Sequence, residues 1–321
     1  VNYLNEFYTW ERLNYYQSAL TSQKFLKKNY ESKKEMNADQ KSYENSLTFM
    51  YYLEHGELYY KQSAKSPIAL KPVLLFYGLI HLIKACIIAV DPQYPASTSV
   101  LAHGVTTRKR KKQQYRFLED EVRIQKSGLC THFADMLFHV KQLEGTKASM
   151  NELLSQIPEL DDLYNFHSKL NMISIPKIER FYYIPLSVLD DYQMTQQRFE
   201  CFLKEKCTAD LNWETQRNNF LVFSIPPDKG LSIPFHFHVY KEVYTLPKGK
   251  HTMLMMPELI AHYLLLYNLS MIARYETEWW CELLKTTPNS DFPFIKTFLE
   301  TTALKGPYLS LQFLEEKRSC T

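Results

Sequence analysis

The sequence predicts a mainly α protein whose N-terminal and C-terminal helices pack together, with a small β-containing segment between them. Three observations predict it. Apolar residues recur at helical spacing through both ends of the chain. Only 8 of 321 residues are Gly, too few for folds built on phosphate loops and tight turns. In the middle of the chain the aromatic residues cluster in short runs flanked by Pro or Gly, as strands do. The expected organisation is an N-terminal helical region over 1–175, a mixed α/β insertion over 176–255, and a C-terminal helical region over 256–321 that packs on the first.

The elements follow in order. Trp10, Leu13, Tyr16 and Leu20 give the first 35 or so residues helical spacing. Residues 42–65 read as a second helix, with Leu47, Met50, Tyr51, Leu58 and Tyr59 suggesting one apolar stripe. Ser66-Pro67 opens the next segment, and Pro72 either starts its helix or kinks it. That helix runs to Cys86, ends before Asp91-Pro92, and is apolar on nearly every face. It should therefore be central, with Tyr77, Leu79 and Ile83 largely buried. Its interruption by His81 and Lys84 reads as a core helix and not a membrane span. A polar loop follows over 91–115, then short helices over 149–157 and 159–166. Phe181–Ile184, Phe220–Phe223 and Phe235–Tyr240 read as strands around a helix over Thr195–Lys206. A long helix from about Pro257 to Leu284 precedes a final one over Phe292–Thr302, and 308–314 is open between strand and helix.

Composition bounds the function classes. The net charge of +3 permits an anionic partner without requiring one. The six cysteines form no C-x-x-C pair and read as reduced core thiols. The first residues lack the basic then apolar pattern of a signal peptide, so a cytoplasmic location is expected. The chain holds no G-x-x-x-x-G-K, G-x-G-x-x-G, G-x-S-x-G or H-E-x-x-H. No catalytic residue is assigned, and no cofactor or metal is expected.

Three constellations remain. Arg108, Lys109, Arg110, Lys111 and Lys112 form a basic run, offset by Glu119, Asp120 and Glu121. It reads as a solvated loop, with an acidic partner or nucleic acid as alternatives. His236 and His238 share one strand face, where two ligands of a metal could sit, but His251 and His262 are unplaced as a third. A polar His face opposite a buried aromatic face explains the alternation without a metal.

The third constellation is the most informative. Tyr77, His81 and Lys84 fall at i, i+4 and i+7 on the greasy helix, and Arg274 follows an apolar run with Glu278 one turn beyond. A buried cation must be paired or hydrogen-bonded. Either Arg274 pairs with Glu278 or another core acid, or Lys84, His103 and Arg274, with Tyr77 and His81, converge on an anion such as a nucleotide phosphate.

The stretch Ser66–Cys86, with Leu101-Ala102-His103-Gly104 after it, resembles the YaaC-like proteins of Bacillus and relatives. Leu269-Ser270-Met271-Ile272-Ala273-Arg274-Tyr275-Glu276, with Trp279 or Trp280, resembles that family's C-terminal signature. The resemblance covers essentially the whole chain. It implies a bacterial cytoplasmic protein, and gene neighbourhood with IMP dehydrogenase in such genomes hints at purine metabolism. The aromatic helix ending in Leu82-Ile83-Lys84-Ala85 is also similar to the core helix of HEPN-type domains, which implies a HEPN-like helical core. Many HEPN proteins are RNases carrying Arg, four to six residues, then His. No Arg here has His at that distance: Arg274 meets Trp279, Trp280 and Cys281, and His103 precedes Arg108 in the reversed order.

The expected function is thus a non-enzymatic regulatory or interaction protein that binds a nucleotide or a metabolic enzyme. A HEPN-like RNase or other nucleotide-acting enzyme, and a nucleic-acid-binding protein using the basic loop, stand as alternatives. The expected partners are a protein or a nucleotide. Nucleic acid is not favoured, no membrane is expected, and a homodimer stays open.

Overall fold

The computed structural model describes residues 6–107, 115–167, 171–226, 230–249, 256–286 and 289–319. The protein is mainly helical with some small sheets. It forms two compact units, Val1–Met150 with His262–Thr321, and Asn151–Ala261.

In the first unit, α1 (Glu6–Asn14), α2 (Ala19–Ser32), α3 (Ala38–Lys65) and α4 (Lys71–Val90) precede β1 (Val105–Thr107), β2 (Glu121–Ile124), α5 (Leu129–Phe138) and β3 (Lys147–Ser149). The three strands pair antiparallel in the order β1-β2-β3. Next in the chain come α6 (Met150–Leu154) and α7 (Asp161–Phe166). The second unit continues with β4 (Met172–Ile175), β5 (Lys177–Ile178), β6 (Phe181–Pro185), α8 (Val188–Tyr192), α9 (Gln196–Lys206), β7 (Asn212–Trp213), β8 (Phe220–Ser224), β9 (His236–His238) and β10 (Val243–Pro247). Its sheets are antiparallel, ordered β4-β10-β9 and β5-β6-β8-β7. The chain closes with α10 (Glu258–Tyr275), α11 (Thr277–Lys285) and α12 (Asp291–Ser319).

Helix α4 is the axis of the first unit and packs against α2, α3, α5 and α12. Leu79 and Ile83 are wholly buried, as their apolar surroundings in sequence imply. Of its twenty residues only Lys71, Val73, Leu74, Tyr77, His81 and Lys84 escape burial. Tyr77 is therefore half-buried and not a core residue, because it lies on the one stripe that α4 leaves open. By length and apolarity α4 could cross a membrane, yet 72% of its apolar window is buried inside the structure. Carbonyls left over in its last turn find donors. Asp91 N–H serves Ile87, Tyr30 Oη serves Ile88 at 2.7 Å, and Lys33 Nζ serves Val90 at 2.8 Å.

Scarce glycine is spent where helices cross. A Cβ at Gly56 of α3 would press on the Leu82 side chain, and one at Gly78 of α4 would meet the Tyr60 ring at 2.8 Å. A Cβ at Gly306 of α12 would collide with Tyr60 Oη. Close approach of α3, α4 and α12 thus depends on three positions without side chains.

Several expectations change. The helix expected over the first 35 residues breaks between Asn14 and Ala19. On α3, Leu47, Tyr51 and Leu58 are about half exposed, and the buried face is instead Ser42, Ser46, Phe49, Leu53, Gly56 and Tyr60. Small side chains let the neighbouring helices come close, so burial there does not follow apolarity. Part of the polar loop, Val105–Thr107, is a strand. The long helix ends at Tyr275 and restarts at Thr277, which lets Trp280 bury its ring and donate Nε1–H to Ala69 O at 2.9 Å. The final helix does not stop near Thr302; α12 continues through Pro307 to Ser319. Of the cysteines described, Cys86, Cys130 and Cys207 are buried but Cys201 and Cys281 are exposed.

Substituting Gly306→Ala should destabilise the protein by about 1–3 kcal/mol through overpacking. With Tyr60→Phe added the nearest remaining atoms lie at 3.3 and 3.5 Å. The double variant should therefore recover most of the loss in a urea denaturation. Equal losses in the single and double variants would refute this account of the crossing.

Candidate functional site

Tyr77, His81 and Lys84 share the open stripe of α4 because steps of four and three residues return to one helix face. Each is half-buried. His103 arrives from the segment after α4. Backbone bonds hold that segment, from Leu129 N–H to Ala102 O, from Cys130 N–H to His103 O and from Gln125 N–H to Gly104 O. Tyr263 Oη also donates to His103 O, at 2.9 Å. The segment lies so close to Gly128 that any Cβ there would strike the backbone of Gly104, and Gly128 holds φ 136°, where L side chains rarely go. Two facing glycines thus set where the imidazole of His103 sits.

Arg274 enters from the last turn of α10. Its Nη1 donates to Tyr77 Oη at 3.1 Å, and its Nε donates to Ser270 O at 3.1 Å. Its guanidinium also lies over the rings of Tyr77 and Tyr275, at 5.7 and 5.1 Å from their centroids. The expected partnership with Glu278 or another core acid is not made. Glu278 is exposed on α11, and among the described residues no carboxylate forms an ion pair with Arg274. A hydroxyl, a carbonyl and aromatic faces satisfy the cation instead.

The remaining walls are aromatic. His103 packs against Phe76, Tyr267 and Tyr77, with centroids at 5.1, 5.8 and 6.4 Å. Tyr59 of α3 stacks on His81 at 5.5 Å and on Tyr77 at 6.1 Å. Tyr52 lies 5.7 Å from His81 and carries the Lys84 ammonium over its ring at 5.4 Å. His55 approaches His81 to 5.5 Å. All five residues singled out in sequence are thereby linked into one patch through Tyr77, Tyr59 and Tyr52. Sequence reasoning missed Tyr52, His55 and Tyr267. The spacing of Tyr52, His55 and Tyr59, three and then four residues, was the signal available for two of them.

The electrostatics are one-sided. Burial, then Arg274, then Lys84 hold the His103 imidazolium below its ordinary pKa. Burial, then Lys84, then His55 push His81 down to about 4. Burial also lowers Lys84. Both imidazoles are consequently neutral at neutral pH, and Nδ1 of each is buried without a hydrogen-bond partner. Such a patch can accept an anion and hydrogen-bond it, and its rings can stack on a planar group.

The other candidates separate from it. The basic run Arg108–Lys112 lies outside the described residues. His236 and His238 do share a face, and both are buried, while Phe237 is half-buried. The aromatic face is buried as expected through Phe235 and Val239, but the His face opposite it is buried as well. His236 Nδ1 lies 3.4 Å from Glu258 Oε2 and His238 Nδ1 lies 4.0 Å from Glu159 Oε1, so buried carboxylates make the His face tolerable. His262 Nδ1 is 2.8 Å from Thr302 Oγ1. Among the described residues no group of three or more His, Cys, Asp or Glu is set to hold a metal. Asn268 donates to Asp120 at 3.1 Å and Ser270 Oγ to Tyr267 O at 2.9 Å, so those polar interruptions of α10 bond within the fold.

The patch gathers residues from Tyr52 to Arg274, and the sequence profile of one family spans them all. The profile of the YaaC-like protein matches residues 14–314. The chain belongs to the YaaC-like family. No curated protein and no solved structure matches it. Within this YaaC-like protein the family match thus covers α4, His103 and Arg274 together.

The geometry makes the two imidazoles separable by titration. Arg274→Met should move the His103 pKa up toward the ordinary value and leave His81 low, whereas Lys84→Met should raise both. Imidazole NMR across pH measures each, and a His103 unmoved by Arg274→Met would contradict the arrangement. Stability carries a second signature. His81 has a folded pKa of about 4 against 6.5, so the unfolded chain binds more protons between those values. Its contribution is complete above about pH 6.5 and is lost as pH falls toward about 4. A His81→Gln variant should lose less stability over that window in denaturant titrations.

Proposed function

We propose that this YaaC-like protein is a non-enzymatic regulatory or interaction protein of the bacterial cytoplasm that binds a nucleotide-class anion at the patch of Tyr77, His81, Lys84, His103 and Arg274. One observation carries the reading. Arg274 and Lys84 flank two uncharged imidazoles inside an aromatic wall, and no carboxylate pairs with either cation among the described residues. Unpaired cations at a half-buried site lower stability, and binding sites are where such a cost is tolerated. A phosphate would supply the missing negative charge, and a base could stack on the tyrosines. The finer likeness of the helical core to HEPN-type domains belongs to the same proposal.

One observation favours a second reading. An uncharged His103 beside Arg274 has the makings of a general base next to a cation that would stabilise a phosphoryl transition state. Phosphodiester cleavage would then replace simple binding.

Purine nucleotides should raise the thermal midpoint of the parent protein, by an amount matching about 2.7 kcal/mol at ~100 times the dissociation constant. Arg274→Met and Lys84→Met should each remove most of that shift. Binding should also take up protons, since an anion relieves the cationic field on His103, and calorimetry in buffers of different ionisation heat reads this out. Product analysis of the same mixtures distinguishes binding from cleavage. No shift with any nucleotide or with inorganic phosphate would end the proposal.

A further inference from the structure

Helix α3 has an open face that neither the core nor the patch uses. Residues 44, 47, 51, 54, 58 and 61 step along it by three, four, three, four and three. They read Glu44, Leu47, Tyr51, Glu54, Leu58 and Lys61, and every one is exposed. Leu47, Tyr51 and Leu58 are 49%, 54% and 55% exposed, although they form a single line. The alternation of three and four is the a/d spacing of a coiled-coil seam. Helix α3 is 28 residues long, about 42 Å, which is ample for such a seam. Its opposite face is covered by α2 and α4, so the stripe looks outward.

The stripe is also complementary to itself when reversed. Turned end for end about its middle, between Tyr51 and Glu54, it sets Glu44 opposite Lys61 and Leu47 opposite Leu58 of a second copy. Tyr51 then faces Glu54 of that copy, where its hydroxyl can donate to the carboxylate. Gln40 and Lys65 extend the match by a further turn. A parallel pairing instead sets Glu44 on Glu44, Glu54 on Glu54 and Lys61 on Lys61, which like charges oppose. Within one chain Glu44 bonds the half-buried Lys41, and the exposed Lys61 bonds the buried carboxylate of Glu57.

We infer that α3 is a homodimerisation helix, and that two copies of this chain pair antiparallel along the Glu44–Lys61 stripe with two-fold symmetry. The occupant of the apolar line is a second copy, chosen by its charges. Symmetry doubles each contact, so one protomer's Glu44–Lys61 pair recurs at the other end. The pairing needs no bound ligand and does not rest on the anion reading.

Charge reversal tests it on the full-length chain. Sedimentation velocity should show a concentration-dependent monomer–dimer equilibrium. Glu44→Lys alone and Lys61→Glu alone should each weaken dimerisation about tenfold or more, because each creates two repulsive contacts. The double variant Glu44→Lys/Lys61→Glu should dimerise like the parent. An equimolar mixture of the two single variants should form heterodimers, since both pairs are then again opposite in sign. Both positions are exposed, but Lys61→Glu also removes the ammonium that pairs buried Glu57 and should lower the thermal midpoint, so circular dichroism at the assay temperature checks that each variant is folded. A parent that stays monomeric at about 100 μM overturns the inference. Single reversals without effect, or a mixture no more dimeric than its components, overturn the antiparallel seam.

Discussion

The first unit depends on burying α4 on all but one stripe. A helix this apolar cannot stand in water, and the close-packed neighbours α2, α3, α5 and α12 exist around it for that reason. Enclosure of its other faces then imposes two demands. Backbones must approach closely, which Gly56, Gly78 and Gly306 allow. Polar groups on α4 must either face water or find partners, and Tyr77, His81 and Lys84 do so by sharing the one open line. The candidate site is the unburied remainder of the core helix.

That origin explains its electrostatic character. The stripe is half-buried, so water screens its charges only in part, and charges there act strongly on each other. Lys84 on α4 and Arg274 on α10 come from different helices, yet both depress the same imidazole of His103. Tyrosines stand where acids would neutralise the cations. They offer ring faces and one hydroxyl, which hold cations in place without cancelling their charge. The second unit solves the same problem differently. There His236 and His238 are buried more deeply and each faces a carboxylate, Glu258 or Glu159. Histidine beside buried acid reads as architecture, whereas histidine beside unpaired cations reads as a site.

Much of the first unit was legible in order of its local periodicity. Helix α4 announced itself because nearly every residue between Val73 and Val90 is apolar, and the polar exceptions fall at helical spacing. Helix α3 was found as a helix but turned to the wrong face, since its buried side uses Ser42, Ser46 and Gly56 where helices meet closely. Strands β1–β3 escaped because three- and four-residue strands carry too few alternations to register. The last helix was expected to end near Thr302, yet α12 runs on through Pro307, as tertiary packing outweighs a local preference. The His236–His238 alternation was visible, but burial of its His face as well as its aromatic face depends on Glu159 and Glu258, distant in sequence.

By itself the sequence determined the mainly helical class, the central helix and the residue types that could meet an anion, because those follow from composition and short-range periodicity. It also carried family membership, which rests on the order of residues along most of the chain. Only the tertiary structure decided that Arg274 has no acid partner and bonds Tyr77 instead, and that Tyr52, His55 and Tyr267 complete the patch. The physical reason is separation: Tyr77 and Arg274 lie 197 residues apart. No local pattern encodes which side chain meets which across such a distance. That pairing is set by the packing of whole helices, and with it the charge that each imidazole feels.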